Sequence, residues 1–170
     1  GVVILKNMMA NAKTGEEQKQ YIDELMKMYD LRIQYFGEEG ANKARKAMDM
    51  EQLMGEKAVA EYYKLYEEAV KIDGESLEPS YIYKFFEATI FYVHQKLAEP
   101  TLIVDNYDLV STLLTKAMKA TPEKKEEIQK ALAKAKDSMP KQIDYKEEML
   151  KFEDALDALE DPDVDAKLKN

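Results

Sequence analysis

The sequence holds a single histidine, His94, seven residues beyond Glu87 and ten beyond Lys84. On a helix those spacings set all three along one stripe, where a carboxylate can orient an imidazole for acid or base work. Residues seven apart are separated by two turns, roughly 10 Å, so Glu87 cannot bond His94 directly unless another helix intervenes. No nucleophile in a recognisable setting lies nearby. The absence of cysteine also excludes thiolate nucleophiles, disulfides and thiolate metal sites. His94 therefore reads as structural or solvent-facing, no catalytic residue is assigned, and neither metal nor cofactor is expected.

Other candidates also reduce to simpler roles. Asp161-Pro162-Asp163-Val164-Asp165 has the alternating aspartates of a calcium loop. Ala166 stands where that loop requires glycine, however, and the sequence ends before its twelfth position. Lys124, Lys125, Lys130, Lys134 and Lys136 share one segment, but Glu123, Glu126 and Glu127 offset them and no aromatic residue interleaves for base stacking. The tyrosines are more promising, because a buried ring packs while its hydroxyl seeks a partner. Tyr62, Tyr63, Tyr81 and Tyr83 are the candidate binding residues, as the wall of a concave surface that grips a peptide.

These residues must be positioned by helices. Gly and Pro together contribute only 11 of 170 residues, and apolar positions recur at helical spacing almost throughout. Eight helices are expected in one domain, residues 1–160, followed by an acidic, frayed tail at 161–170. Thr14 with Glu17 forms a capping box for the second helix, which stops at Gly37. The fourth ends at Asp73-Gly74. Pro79 opens a fifth that runs to about Leu97; Ile82, Phe86, Thr89 and Val93 lie on one face, Tyr81, Phe85, Ala88 and Tyr92 on an adjoining one, and Ile90 and Phe91 extend an apolar arc broad enough to demand cover on several sides. It is therefore placed at the centre. Thr121-Pro122-Glu123 is expected to cap the seventh helix, and Tyr145, Met149, Phe152, Leu156 and Leu159 form the stripe of an acidic eighth. The first helix opens on Val2-Val3-Ile4-Leu5 without a cap and reads as cut from a longer element, with an exposed apolar face suited to a dimer of copies.

The net charge of −9 disfavours nucleic acid and anionic lipid and favours basic partners. Most of that charge sits in 144–165, which holds ten acidic residues against Lys146 and Lys151. The least charged stretch, Ala88 to Gln95, is far too short for a bilayer span, so no membrane insertion is expected.

Tyr29-Asp30-Leu31, Tyr66-Glu67-Glu68 and Tyr107-Asp108-Leu109 sit at matching places in the second, fourth and sixth helices, 37 and 41 residues apart. This drifting period resembles the tetratricopeptide repeat. Tyr66, Ala69 and the Lys71-Ile72-Asp73-Gly74 turn look like that repeat's second helix, and Ala88 and Phe91 like its close-approach positions. The departures are the longer periods, the lack of tryptophan and the absence of a proline closing each repeat. The segment Tyr29 to Gly37 with the Tyr-rich pairs after it is similar to a divergent tetratricopeptide-like family of exported Bacteroidetes proteins. That resemblance implies an all-α, α-α superhelix of antiparallel helix pairs, an extracytoplasmic location and no catalytic residues. The leading functional expectation is a non-enzymatic module that binds a protein or peptide in a groove between helix pairs. The alternatives are a carrier of an apolar or aromatic small ligand in a pocket beside the fifth helix, and a hydrolase with a cleft converging on His94, Glu87 and a hydroxyl.

Overall fold

Sequence punctuation sets the helix boundaries in the computed structural model, which describes residues 1–139. These residues contain seven α-helices, three short 3₁₀ turns and no strand. One compact unit spans Gly1–Ala135. The expected eighth helix, the domain end at 160, the acidic tail and the calcium-like aspartates lie outside the described residues.

Helix α1 is Val2–Ala10 and α2 is Gly15–Phe36. The capping box forms: the Glu17 N–H donates to Thr14 Oγ1 at 3.1 Å, and the Glu17 carboxylate accepts from the Lys13 N–H at 2.9 Å. Gly37, at φ 75°, ends α2 in a conformation that costs glycine little. Asn42, wholly buried, secures this turn by donating from Nδ2 to the Gly37 carbonyl at 3.0 Å. Helix α3 is Glu39–Met54 and α4 is Val59–Asp73. They approach so closely that a Cβ at Gly40 would overlap the Asp73 carboxylate. Helices α5 (Pro79–His94), α6 (Thr101–Ala120) and α7 (Lys125–Ser138) follow.

Two boundaries depart from the sequence expectation. Helix α5 stops at His94, not near Leu97, because Lys96 adopts φ 59° and closes a Schellman turn. Its N–H donates to the Val93 carbonyl at 2.8 Å, and the Leu97 N–H donates to that of Tyr92 at 3.1 Å. A lysine in a glycine-like conformation leaves no signal in composition. Thr121 likewise does not cap α7; its hydroxyl donates back to the Ala117 carbonyl at 2.7 Å, finishing α6 instead.

From α1 to α6, successive helices pack against one another. Most of the broad arc of α5 is covered as expected, with Ile82, Phe85, Phe86, Ala88, Thr89, Ile90 and Val93 buried, while Tyr81, Phe91 and Tyr92 on its flanks are half-buried. Inside this core runs a polar chain. Asn106 Nδ2 donates to the Tyr63 hydroxyl at 3.2 Å and to Thr89 Oγ1 at 3.0 Å, and Thr89 donates to the Phe85 carbonyl at 2.8 Å. Helices α1 and α2 carry a smaller core of Leu5, Met9, Leu25 and Tyr29, edged by Leu53 of α3.

Candidate functional site

Helix α3 presents two carboxylates to opposite sets of neighbours, and each takes a hydroxyl from one of the repeating tyrosines. Asp49, 2% exposed, accepts from the Tyr29 hydroxyl and from Lys6 Nζ, both at 2.6 Å. Two residues on, Glu51 accepts from the Tyr66 hydroxyl at 3.2 Å and from Lys84 Nζ at 3.1 Å. Lys84 also reaches Glu87 at 3.2 Å. Burial and then the neighbouring carboxylates push the Tyr29 and Tyr66 hydroxyls well above the usual phenol range. Burial alone would lower Lys84, but Glu87 and Glu51 outweigh it and hold the ammonium above its ordinary value.

The His94 constellation does not assemble. Lys84 and Glu87 pair with each other and Glu51, while His94 is exposed at the far end of α5. The four candidate tyrosines divide between two environments. Tyr62 and Tyr63 are core residues, 1% and 4% exposed, and present almost no surface to a ligand. Their rings pack internally, Tyr62 edge-on to Tyr66 and Tyr63 stacked on Tyr92 with centroids 4.2 Å apart. Burial pushes both hydroxyls up to about 12.

Tyr81 and Tyr83 remain half-buried and line a cleft of about 280 Å³ between α3, α5 and α7. Met48 of α3 contributes to it, as do Ser80 and Lys84 beside the tyrosines, and Glu127, Lys130, Ala131 and Lys134 of α7. The Lys134 ammonium lies 5.6 Å from the centre of the Tyr83 ring, within cation–π range. The Glu51–Lys84–Glu87 cluster thus fixes one wall, and Lys134 stands beside the aromatic wall. Sequence reasoning singled out Tyr81 and Tyr83 but not Met48 or, on α7, Lys130 and Lys134 as neighbours in this cleft. The spacing of Lys130 and Lys134 on one side of α7 was the available signal.

A second concavity, of about 600 Å³, lies between α1 and α2 and is lined by Val2, Met28, Leu31, Arg32, Tyr35 and Phe36. Around it Tyr35 is 71% and Phe36 81% exposed, and on α1 Val3 and Ile4 are also largely exposed. Among the described residues no acidic or histidine cluster suits a metal ion, and no helix is long and apolar enough to cross a membrane. No family model, curated protein or solved structure matches this chain.

Proposed function

We propose that this protein is a non-enzymatic, tetratricopeptide-like helical-repeat module that binds a protein or peptide segment in the cleft between α3, α5 and α7. The observation that carries the reading is the pairing of Tyr81 and Tyr83 with Met48 in that cleft, a set of side chains that offers rigid aromatic area and an adaptable apolar contact together. The repeat component is supported by Tyr29 and Tyr66, which occupy matching places in α2 and α4 and both donate to α3. Burial of Ala69 and Ala88 at helix contacts supports it as well.

Selection from a random peptide library, followed by calorimetry on single variants, tests the reading. Enriched peptides should bind the full chain and weaken about ten-fold on Tyr83→Ser or Tyr81→Ser, the loss of about 1.4 kcal/mol of aromatic contact. Peptides that bind equally to both variants would overturn the cleft as the site. A hydrolytic activity abolished by His94→Gln would overturn the non-enzymatic reading. The small-ligand alternative has a weaker basis, since the cleft volume is just under the roughly 300 Å³ at which drug-sized sites begin. The exposed Val3 and Ile4 support self-association of copies through α1.

A further inference from the structure

Six of the ten exposed large apolar side chains among the described residues lie on α1 and the last turns of α2: Val3, Ile4, Met8, Leu31, Tyr35 and Phe36. The stripe that buries Leu25 in the α1–α2 core runs on through Met28 and Leu31 to Tyr35, so the spacing that folds the helix pair continues into water. At their exposure Tyr35 and Phe36 alone leave roughly 300 Å² of ring surface bare, taking about 200 Å² per aromatic side chain, as much as the largest patch on many monomers. Arg32 and Glu38 line the same concavity. Arg32 has no ion-pair partner among the described residues, and Glu38 reaches Arg45 at 3.7 Å with both side chains in water. Arg45 is held independently by Asn42, to whose Oδ1 it donates at 3.0 Å, so Glu38 can turn away without stranding it.

We propose that this face binds a second copy of the chain across a two-fold axis, with Tyr35 and Phe36 of each copy seated beside Val2 and Met28 of the other and Arg32 of each facing Glu38 of the other. This rests on the self-association reading above and adds the surface and its charge pairing. Self-complementarity selects a copy over a foreign protein. A two-fold operation sets residue i opposite j and j opposite i, so a single patch that holds exposed aromatic rings, a recess, a cation and an anion satisfies itself twice over. The side chains lining the concavity carry one cation and one carboxylate, so a partner of either sign alone would be repelled by one of them.

The test is sedimentation equilibrium of the full chain and of two charge reversals, Arg32→Glu and Glu38→Arg, each alone and then mixed. The parent should dimerise with a Kd on the order of 10 μM, in keeping with a patch near the small end of specific interfaces. Each reversal places like charges at both symmetric contacts and should weaken dimerisation about ten-fold. Mixed in equal amounts, the two variants should recover parent-like association, because every contact between positions 32 and 38 is then between opposite charges. Both positions are exposed, so the fold should persist, as thermal melting will verify. A parent dimer that neither reversal weakens, or that the mixture fails to recover, would overturn this pairing and leave self-association through α1 standing. A parent that stays monomeric at hundreds of micromolar would overturn the two together and leave the concavity to a different protein.

Discussion

Removing the Tyr29 hydroxyl measures what one buried hydrogen bond contributes where α1, α2 and α3 meet. Asp49 receives two bonds of the same 2.6 Å length, but from donors in different surroundings. Tyr29 is 4% exposed, whereas the Lys6 side chain is 43% exposed. Tyr29→Phe keeps the ring and leaves one Asp49 oxygen buried without its donor, a loss of about 2–3 kcal/mol. Lys6→Met removes a cation whose side chain is 43% exposed and whose charge is already shared with water, so the loss should be smaller, about 0.5–1 kcal/mol. Urea unfolding followed by far-UV circular dichroism should therefore rank the tyrosine well above the lysine. The corresponding fall in Tm for Tyr29→Phe is about 5–10 °C. Adding Asp49→Leu to Tyr29→Phe should recover part of the loss, because an apolar side chain of similar size needs no donor. Equal losses for Tyr29→Phe and Lys6→Met, or no recovery in the double variant, would refute the reasoning that burial of the donor sets the value of the bond.

Three other outcomes are expected. Phe86→Ala, at a fully buried position whose ring meets Tyr107 edge-on, should cost about 3–5 kcal/mol in urea, and a loss below about 1 kcal/mol would remove α5 from the centre. Alkali should destabilise the fold from about pH 10 upward. Tyr62 and Tyr63 are pushed up to about 12 by burial, so the unfolded chain releases protons first and their contribution, complete below pH 10, is lost as the pH approaches 12. Ultraviolet tyrosinate absorbance should then lag for the buried rings until circular dichroism falls; all tyrosines ionising together near pH 10 with the helices intact would contradict this. Sedimentation should show self-association that Ile4→Glu abolishes, and a strictly monomeric parent protein would exclude the dimer face.

Helix positions and the central place of α5 were legible because they follow from local chemistry: the Thr14–Glu17 box, Gly37, Gly74 and Pro79 act within one turn, and the width of the α5 arc is visible in sequence. The α5 terminus was not, since the left-handed Lys96 is held by two backbone bonds that no residue type announces. The candidate wall was legible only in part. Aromatic spacing identifies tyrosines that pack, but Tyr63 faces Asn106 on α6 while Tyr83 faces Lys134 on α7, and that division is set by neighbours distant in sequence. The same holds for Asp49 and Glu51. Two residues apart in a charged stretch, they resemble solvated acids until α2 and α4 bring Tyr29 and Tyr66 against them.

The polar chain through Tyr63, Asn106 and Thr89 has a consequence for rotational register. A helix apolar on most of its circumference, as α5 is, has little in its greasy surface to choose one rotation about its axis over another. Thr89 supplies that choice, because its hydroxyl accepts from Asn106 in one orientation only, and slipping α5 by a single residue would turn it through about 100°. Both groups would then be buried without each other, at about 1–3 kcal/mol apiece, a larger penalty than repacking of similar aliphatic side chains. We therefore expect a Thr89→Val, Asn106→Leu double variant to keep much of its helix content while its amide resonances broaden and multiply. Resonances as sharp and single as those of the parent would show that packing alone defines the orientation. On this view the buried hydroxyl and amide confer uniqueness on the core more than strength.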